Sequence, residues 1–326
     1  LSSTPNYDSN WEWGWKTPLL LFSGAVPAPV TEFLASPLTD FDLESASNRL
    51  NERLSELKTS RIGIRFERIQ EALMRSHPET TTLRSGIQIP GVTEIDLLQK
   101  LRSLPDTTIH WEVAVKFYLA IDAKGSRDAD RWIGPSQKDS LGIKMRTIWD
   151  RQLTVLKDPK VRASLGIPET EKILALPKVH GVLFSPWPSQ KLEFPEGVSP
   201  DCQRGVWVHE SDTTKFLASL RAEHGSALRI FILQDRKEWI RDHTREEWLT
   251  KGEGLPEVLS DELSLKNYFN YRLKTLRPSD SQEKEPFQGM LLLDGRELRF
   301  FCVPDTWAKR AEGALECLKA RSRIIA

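Results

Sequence analysis

Four acidic side chains, one amine and one amide fall in an order that could perform hydrolysis. The run "GIRFERIQEALM" carries Glu67, "TEIDLL" carries Glu94 and Asp96, "HWEVAVKFYLAI" carries Glu112 and Lys116, and "KMRTIWDRQL" carries Gln152. In extended chain, residues two or four apart point to one side, so Glu94 and Asp96 share a face, as do Glu112 and Lys116. Neighbouring strands lie about 4.8 Å apart, which lets carboxylates on a common face of a hairpin converge. Two carboxylates that leave water on the ion suit Mg2+, with Mn2+ as its substitute, and Asp96, Glu112 and Glu94 are the candidate ligands. An ion held there would polarise a phosphoryl oxygen and help to generate hydroxide. Lys116 would orient or deprotonate the attacking water and offset the charge that develops on the phosphoryl oxygens. Taken singly, each residue has a plainer reading. Glu112 with Lys116 makes an edge-strand charge pair, and Glu67 a solvated helix flank beside Arg68.

The elements that must position these groups follow from periodicity. From about Leu43 to Ser76 no proline interrupts a helical pattern, in which Ile62, Phe66, Ile69 and Leu73 form the apolar seam. Glu67 lies about 100° around the helix from Phe66, beside that seam. The spacing then predicts a hairpin: a strand through Glu94–Leu97, turn chemistry in "RSLPDTT", and a strand from His110 to Ile121 whose packed face is Trp111, Val113, Val115, Phe117 and Leu119. A helix follows from about Ser140 to Leu156, with Asp139 as its N-cap and Leu141, Met145, Ile148 and Val155 as its seam. Gln152 falls on that seam, where an amide needs a partner or marks a site. Lys144 sits on the same helix and is a further cation within reach.

Upstream, Trp11, Trp13 and Trp15 alternate, which predicts an extended segment docked by its indoles. Beyond residue 175 short strands ("VHGVLFSPW", "RGVWVHE", "ALRIFILQ", and a pair around Asp294-Gly295) interleave with helices near Thr213–Glu223, Asp261–Leu276 and Thr306–Arg321. The expected organisation is an N-terminal docking segment over 1–42, a core over 43–175 and a mixed α/β portion over 176–326, continuous with the core or separate.

Lysine plus arginine equals aspartate plus glutamate at 46 each, so a nucleic-acid partner would have to be held by local patches. Three separated cysteines without CxxC spacing argue against a zinc site or a disulfide framework and for a reducing compartment, the cytoplasm. No apolar run is long enough for a membrane span. No phosphate-binding, dinucleotide-binding or serine-hydrolase motif occurs, and the six histidines lack metal-ligand spacing. His110 reads as a cap or loop residue. Protein partners and oligomeric state are not legible.

The succession of helix acid, strand acid, strand acid with lysine, then helix resembles the core of the PD-(D/E)XK nuclease superfamily. The closer likeness is to the family known as domain of unknown function 1853, which is placed in that superfamily. "WGWKTPLLL", "GIRFERIQEALM", "EIDLL", "HWEVAVKFYL", "WIGPSQKDSLGIKMRTIWDRQL", "GVLFSPW", "GVWV" and "EWI" recur in its order, covering most of the chain from Trp13 to about Ile240. The resemblance implies an α/β fold with a restriction-endonuclease-like mixed sheet flanked by helices, and Mg2+-dependent hydrolysis of DNA. It also implies Asp96, Glu112 and Lys116 as the catalytic set, with Glu67 as the helix acid and Gln152 as the auxiliary residue. One position departs from the pattern. The superfamily's acid stands two residues before the lysine, where this chain has Ala114, and Glu112 stands one pleat further, about 6.7 Å along the strand. That departure leaves a second reading, a catalytically idle module that binds nucleic acid or serves in an assembly.

Overall fold

The computed structural model describes residues 10–21, 26–39, 42–46, 48–49, 61–124, 126–188, 192–224, 229–233, 239–240, 258–259, 286–293 and 296–325. The helices are α1 (Asn10–Lys16), α2 (Ala28–Ala35), α3 (Ile62–Ser76), α4 (Leu141–Arg146), α5 (Pro159–Ser164), α6 (Thr213–His224) and α7 (Trp307–Ile325). A π-helical turn, Thr147–Gln152, continues α4. The strands are β1 (Thr80–Ile89), β2 (Thr93–Leu101), β3 (Leu104–Ala120), β4 (Trp132–Ile133), β5 (Lys172–Pro186), β6 (Gln203–His209), β7 (Arg229–Ile232), β8 (Val258–Leu259), β9 (Phe287–Leu293) and β10 (Arg296–Val303).

The strands form one ten-stranded mixed sheet in the order β1-β2-β3-β5-β6-β10-β9-β7-β8, with β4 paired to β3. Antiparallel pairs occupy both flanks, and β3, β5, β6 and β10 run parallel through the centre. β5 spans residues 175 and 176, so the core and the C-terminal portion share this sheet. The longest ladder joins β3 to β5, from Thr107↔Lys172 to Leu119↔Phe184. Gly181 stands opposite Lys116, and a Cβ there would strike the Lys116 carbonyl, so only glycine lets the two strands approach at that rung.

Helices cover both faces. On one, Trp13, Phe33, Phe66, Ile69 and Leu73 of α1–α3 pack with Trp111, Val113, Val115, Phe117 and Leu119 of β3, and α7 adds Trp307, Ala311 and Leu315. Burial of each such large side chain contributes about 1.5–3 kcal/mol. The other face of β3 packs Ala114 and Tyr118 against Leu141 and Ile148 from α4 and the π-turn. The alternation of β3 is therefore as its sequence predicts, although both faces are buried.

Several elements differ from expectation. The tryptophan segment is helical, not extended: Trp13 stacks edge-on to Phe66 and bonds Gln203, while Trp15 meets Phe33 and His77. β3 begins at Leu104, ahead of the predicted start, because Pro105 lies at its exposed end, where no ladder N–H is required. His110 is consequently mid-strand and buried rather than a cap, and burial alone holds its imidazole down to about 4, in the neutral form. The helix predicted from Ser140 is interrupted, and its N-cap is Ser140, whose Oγ accepts the Ile143 N–H at 3.2 Å, not Asp139. The Asp261–Leu276 helix and the Asp294-Gly295 turn fall outside the described residues, though β9 and β10 pair antiparallel around that turn.

Candidate active site

The site begins where two strands part. The β2–β3 ladder runs from Leu101↔Leu104 to Leu97↔Trp111 and stops, while β2 continues on β1 and β3 continues on β5. The next rung would have given the Val113 N–H a backbone acceptor. Asp96 Oδ2 takes that place instead, accepting the Val113 N–H at 2.7 Å. A side chain thus closes the ladder, and its carboxylate is fixed at the crotch of a fork.

Glu112, on the opposite side of β3 from Val113, is 2 % exposed. Its Oε1 accepts from Lys144 Nζ at 3.3 Å and from Gln152 Nε2, and Lys144 also donates to Gln152 Oε1 at 3.1 Å. In a regular α-helix, residues eight apart would be about 12 Å apart along the axis and about 80° around it. The π-turn, marked by the Leu153 N–H bonding the Ile148 carbonyl at 2.9 Å, alters that relation so that both side chains meet one carboxylate. Such turns recur at functional sites. Gln152 accordingly has the partner that an amide on an apolar seam requires.

Electrostatics bind the acids into one unit. Burial pushes both Asp96 and Glu112 above the usual carboxylate range, and each is raised further by a neighbouring acid, Glu94 beside Asp96 and Asp96 beside Glu112. Glu67 is pushed up to about 7, by burial first and then by Asp96 and Glu94. The Glu112 Oε2 atom is buried without a hydrogen-bond donor. Asp96 lies close enough for a proton on one carboxyl to bond the other. Two acids brought this near each other favour a proton or a cation in their neighbourhood.

Lys116 is placed elsewhere. It stands about 13 Å along β3 from Glu112, and its Nζ donates to Asp139 Oδ2 at 2.7 Å. The same oxygen accepts from the buried Tyr118 hydroxyl at 3.3 Å. The structure therefore brings Glu67, Glu94, Asp96, Glu112 and Gln152 together, with Lys144 as the ammonium among them, and leaves Lys116 in a separate pair. Lys144 had only its place on the Gln152 helix to recommend it. Asp139, read from the sequence as the helix N-cap, yields that place to Ser140 and pairs with Lys116 instead.

All the donors here are oxygens, the set a hard divalent cation uses. A cavity of about 20 Å³, room for one water-sized body, is lined by Glu67, Glu94 and Asp96 among others. Among the described residues no group of three or more His, Cys, Asp or Glu side chains closes around a single point. A hydrated Mg2+ takes one or two carboxylates from a protein. With the orphaned Glu112 oxygen, these features fit such an ion.

A family model described as "Domain of unknown function (DUF1853)" matches residues 10–285. The chain belongs to that family. No curated protein and no solved structure matches it.

Proposed function

With membership of the DUF1853 family as the premise, we propose that this protein is a metal-dependent nuclease of restriction-endonuclease-like fold, within the PD-(D/E)XK superfamily, that hydrolyses phosphodiester bonds in DNA. The observation that carries the reading is the fork itself. Asp96 replaces a missing rung beside Glu112, and one buried oxygen of Glu112 lacks a donor. Asp96 and Glu112 would hold Mg2+ or Mn2+, with Glu94 at the cavity mouth. Such an ion, when bound, would supply Lewis acidity and a nucleophilic water. Gln152 and Lys144 fix the Glu112 carboxylate from one side. Glu67, whose proton affinity lies near neutrality, can take a proton from water at working pH. Lys144 offers an ammonium to the charge that builds on the phosphoryl oxygens.

Described helices include none long and apolar enough to cross a membrane. The test is cleavage of linear, circular and single-stranded DNA with Mg2+ or Mn2+, beside calorimetric titration of Mn2+. Asp96→Asn and Glu112→Gln should abolish both cleavage and Mn2+ binding while circular dichroism stays native. Cleavage unchanged in both variants overturns the proposal. Absence of Mn2+ binding in the folded wild-type chain promotes the idle module that Ala114 suggests.

A further inference from the structure

A second cavity, about 540 Å³, opens between the β1–β2 hairpin tip and the π-turn. Gly91, Val92 and Thr93 form one wall, and Thr147, Arg151 and Gln152 the other. Gln152 belongs to both places: it lines this groove and its amide holds Glu112. Whatever lies in the groove is therefore one side chain away from the carboxylates.

Three features specify an occupant. Arg151 is exposed at the groove, and Lys157 and Lys160 are exposed next to its far wall; none of the three has an acidic partner among the described residues. Nearby cations are committed, Arg146 to Asp130 at 2.8 Å and Arg162 to the carbonyls of Pro168, Glu169 and Glu171. Asp158, the acid on this wall, spends its carboxylate capping α5 through the Lys160 N–H at 2.8 Å. Val92 is 54 % exposed, the large apolar side chain left open to solvent among the described residues. It stands at the hairpin tip and lines the groove together with Arg151.

From this geometry we infer that the groove is a subsite for single-stranded DNA next to the carboxylate centre, with backbone phosphates on Arg151, Lys157 and Lys160 and a sugar or base against Val92. Guanidinium pairs with phosphate through charge-assisted, fork-shaped bonds. An apolar edge opposite a cationic rail is the division of labour by which single strands are held without sequence readout. The volume lies within the range of about 300–1,000 Å³ found for small-molecule pockets. A nucleotide or two of one strand match that volume. The inference rests on the nuclease reading for its link to Glu112, but binding can be read separately from cleavage.

The experiment is fluorescence anisotropy of a labelled single-stranded oligonucleotide against the full chain in EDTA, over a series of salt concentrations. Arg151→Gln should weaken binding about ten-fold and make the logarithmic salt dependence shallower by about one unit. Val92→Ser should weaken it about three-fold with the salt dependence unchanged. Unchanged affinity in Arg151→Gln overturns the subsite, and so does a duplex that binds more tightly than the single strand with the same dependence on Arg151. Binding that depends on Arg151 in a chain that cleaves nothing with Mg2+ or Mn2+ leaves the subsite standing and removes the nuclease reading.

Discussion

Asp96 and Val113 are joined where their strands separate, side-chain oxygen to backbone N–H at 2.7 Å. One bond thus serves structure and site together, and substitutions at Asp96 can tell the two apart. Asp96→Asn keeps an acceptor for the Val113 N–H and should cost little stability. Asp96→Ala leaves that donor without its partner and should lower the unfolding free energy by about 1–3 kcal/mol. Urea denaturation of both variants checks this. Equal stabilities would show that the carboxylate does not hold the fork.

Two lysines compete for one role. Lys144 lies at Glu112, whereas Lys116 is held by Asp139. If hydrolysis is confirmed, Lys144→Met should reduce kcat by about 100-fold or more, within the range for loss of a positioned acid–base or electrostatic group. Lys116→Met should change kcat by less than about ten-fold and act mainly on stability, because it strips Asp139 of its cation and leaves Tyr118 as that carboxylate's remaining donor. The reverse order would return the role to the lysine that the family resemblance indicates.

The raised proton affinity of Glu67 gives stability a pH dependence of definite sign. Its carboxyl moves from the ordinary 4.5 to about 7, so the folded chain binds more protons than the unfolded one between those values. Stability is therefore fullest below about 4.5 and is lost as pH rises towards about 7. Glu67→Gln should flatten that slope and raise stability at pH 8 by on the order of 1 kcal/mol, less than the full shift implies because solvent partly screens the group. Melting curves at pH 5 and pH 8 for both proteins provide the measurement, and a parallel fall in the two would refute the assignment.

Lys178 acts in the opposite sense. It lies fully buried on β5 with its Nζ 5.1 Å from the Trp15 ring. The ring face favours an ammonium, but burial outweighs it and lowers the group from 10.5 to about 7. The unfolded chain holds the extra proton between those values, so this residue makes stability rise as pH climbs from about 7 to about 10.5. Lys178→Met should remove that rise and stabilise the protein at pH 7 by about 1 kcal/mol or more. A chemical-denaturation series across pH 7–10 decides it.

Much of this was legible in the residues because it depends on short-range pattern. The seam of Phe66, Ile69 and Leu73 and the two faces of β3 follow from periods of 3.6 and 2, as do the faces on which Glu67, Asp96 and Glu112 stand. What was not legible depends on pairing. Nothing in "TEIDLL" states that β2 leaves β3 after Leu97, which is what brings Asp96 to Val113. A π-turn has no reliable composition, so the meeting of Lys144 with Gln152 was hidden, and with it the choice between the two lysines. The alternating tryptophans misled because they are helical: Trp13 and Trp15 serve different pockets instead of sharing a strand face.

The parallel ladder between β3 and β5 sets the order in which the site can come into being. Glu112 is paired with Pro177, and Lys116 with Gly181, across a long crossover that contains α4 and the π-turn. Contacts between residues so distant along the chain form late, since loop closure must precede any gain from pairing. During synthesis, a nascent chain ending before Lys172 already carries every acid and amide of the site from Glu67 to Gln152. It lacks the strand that holds the Glu112 backbone in place. Synthesis of the ingredients and completion of the sheet around them are thereby separated in time.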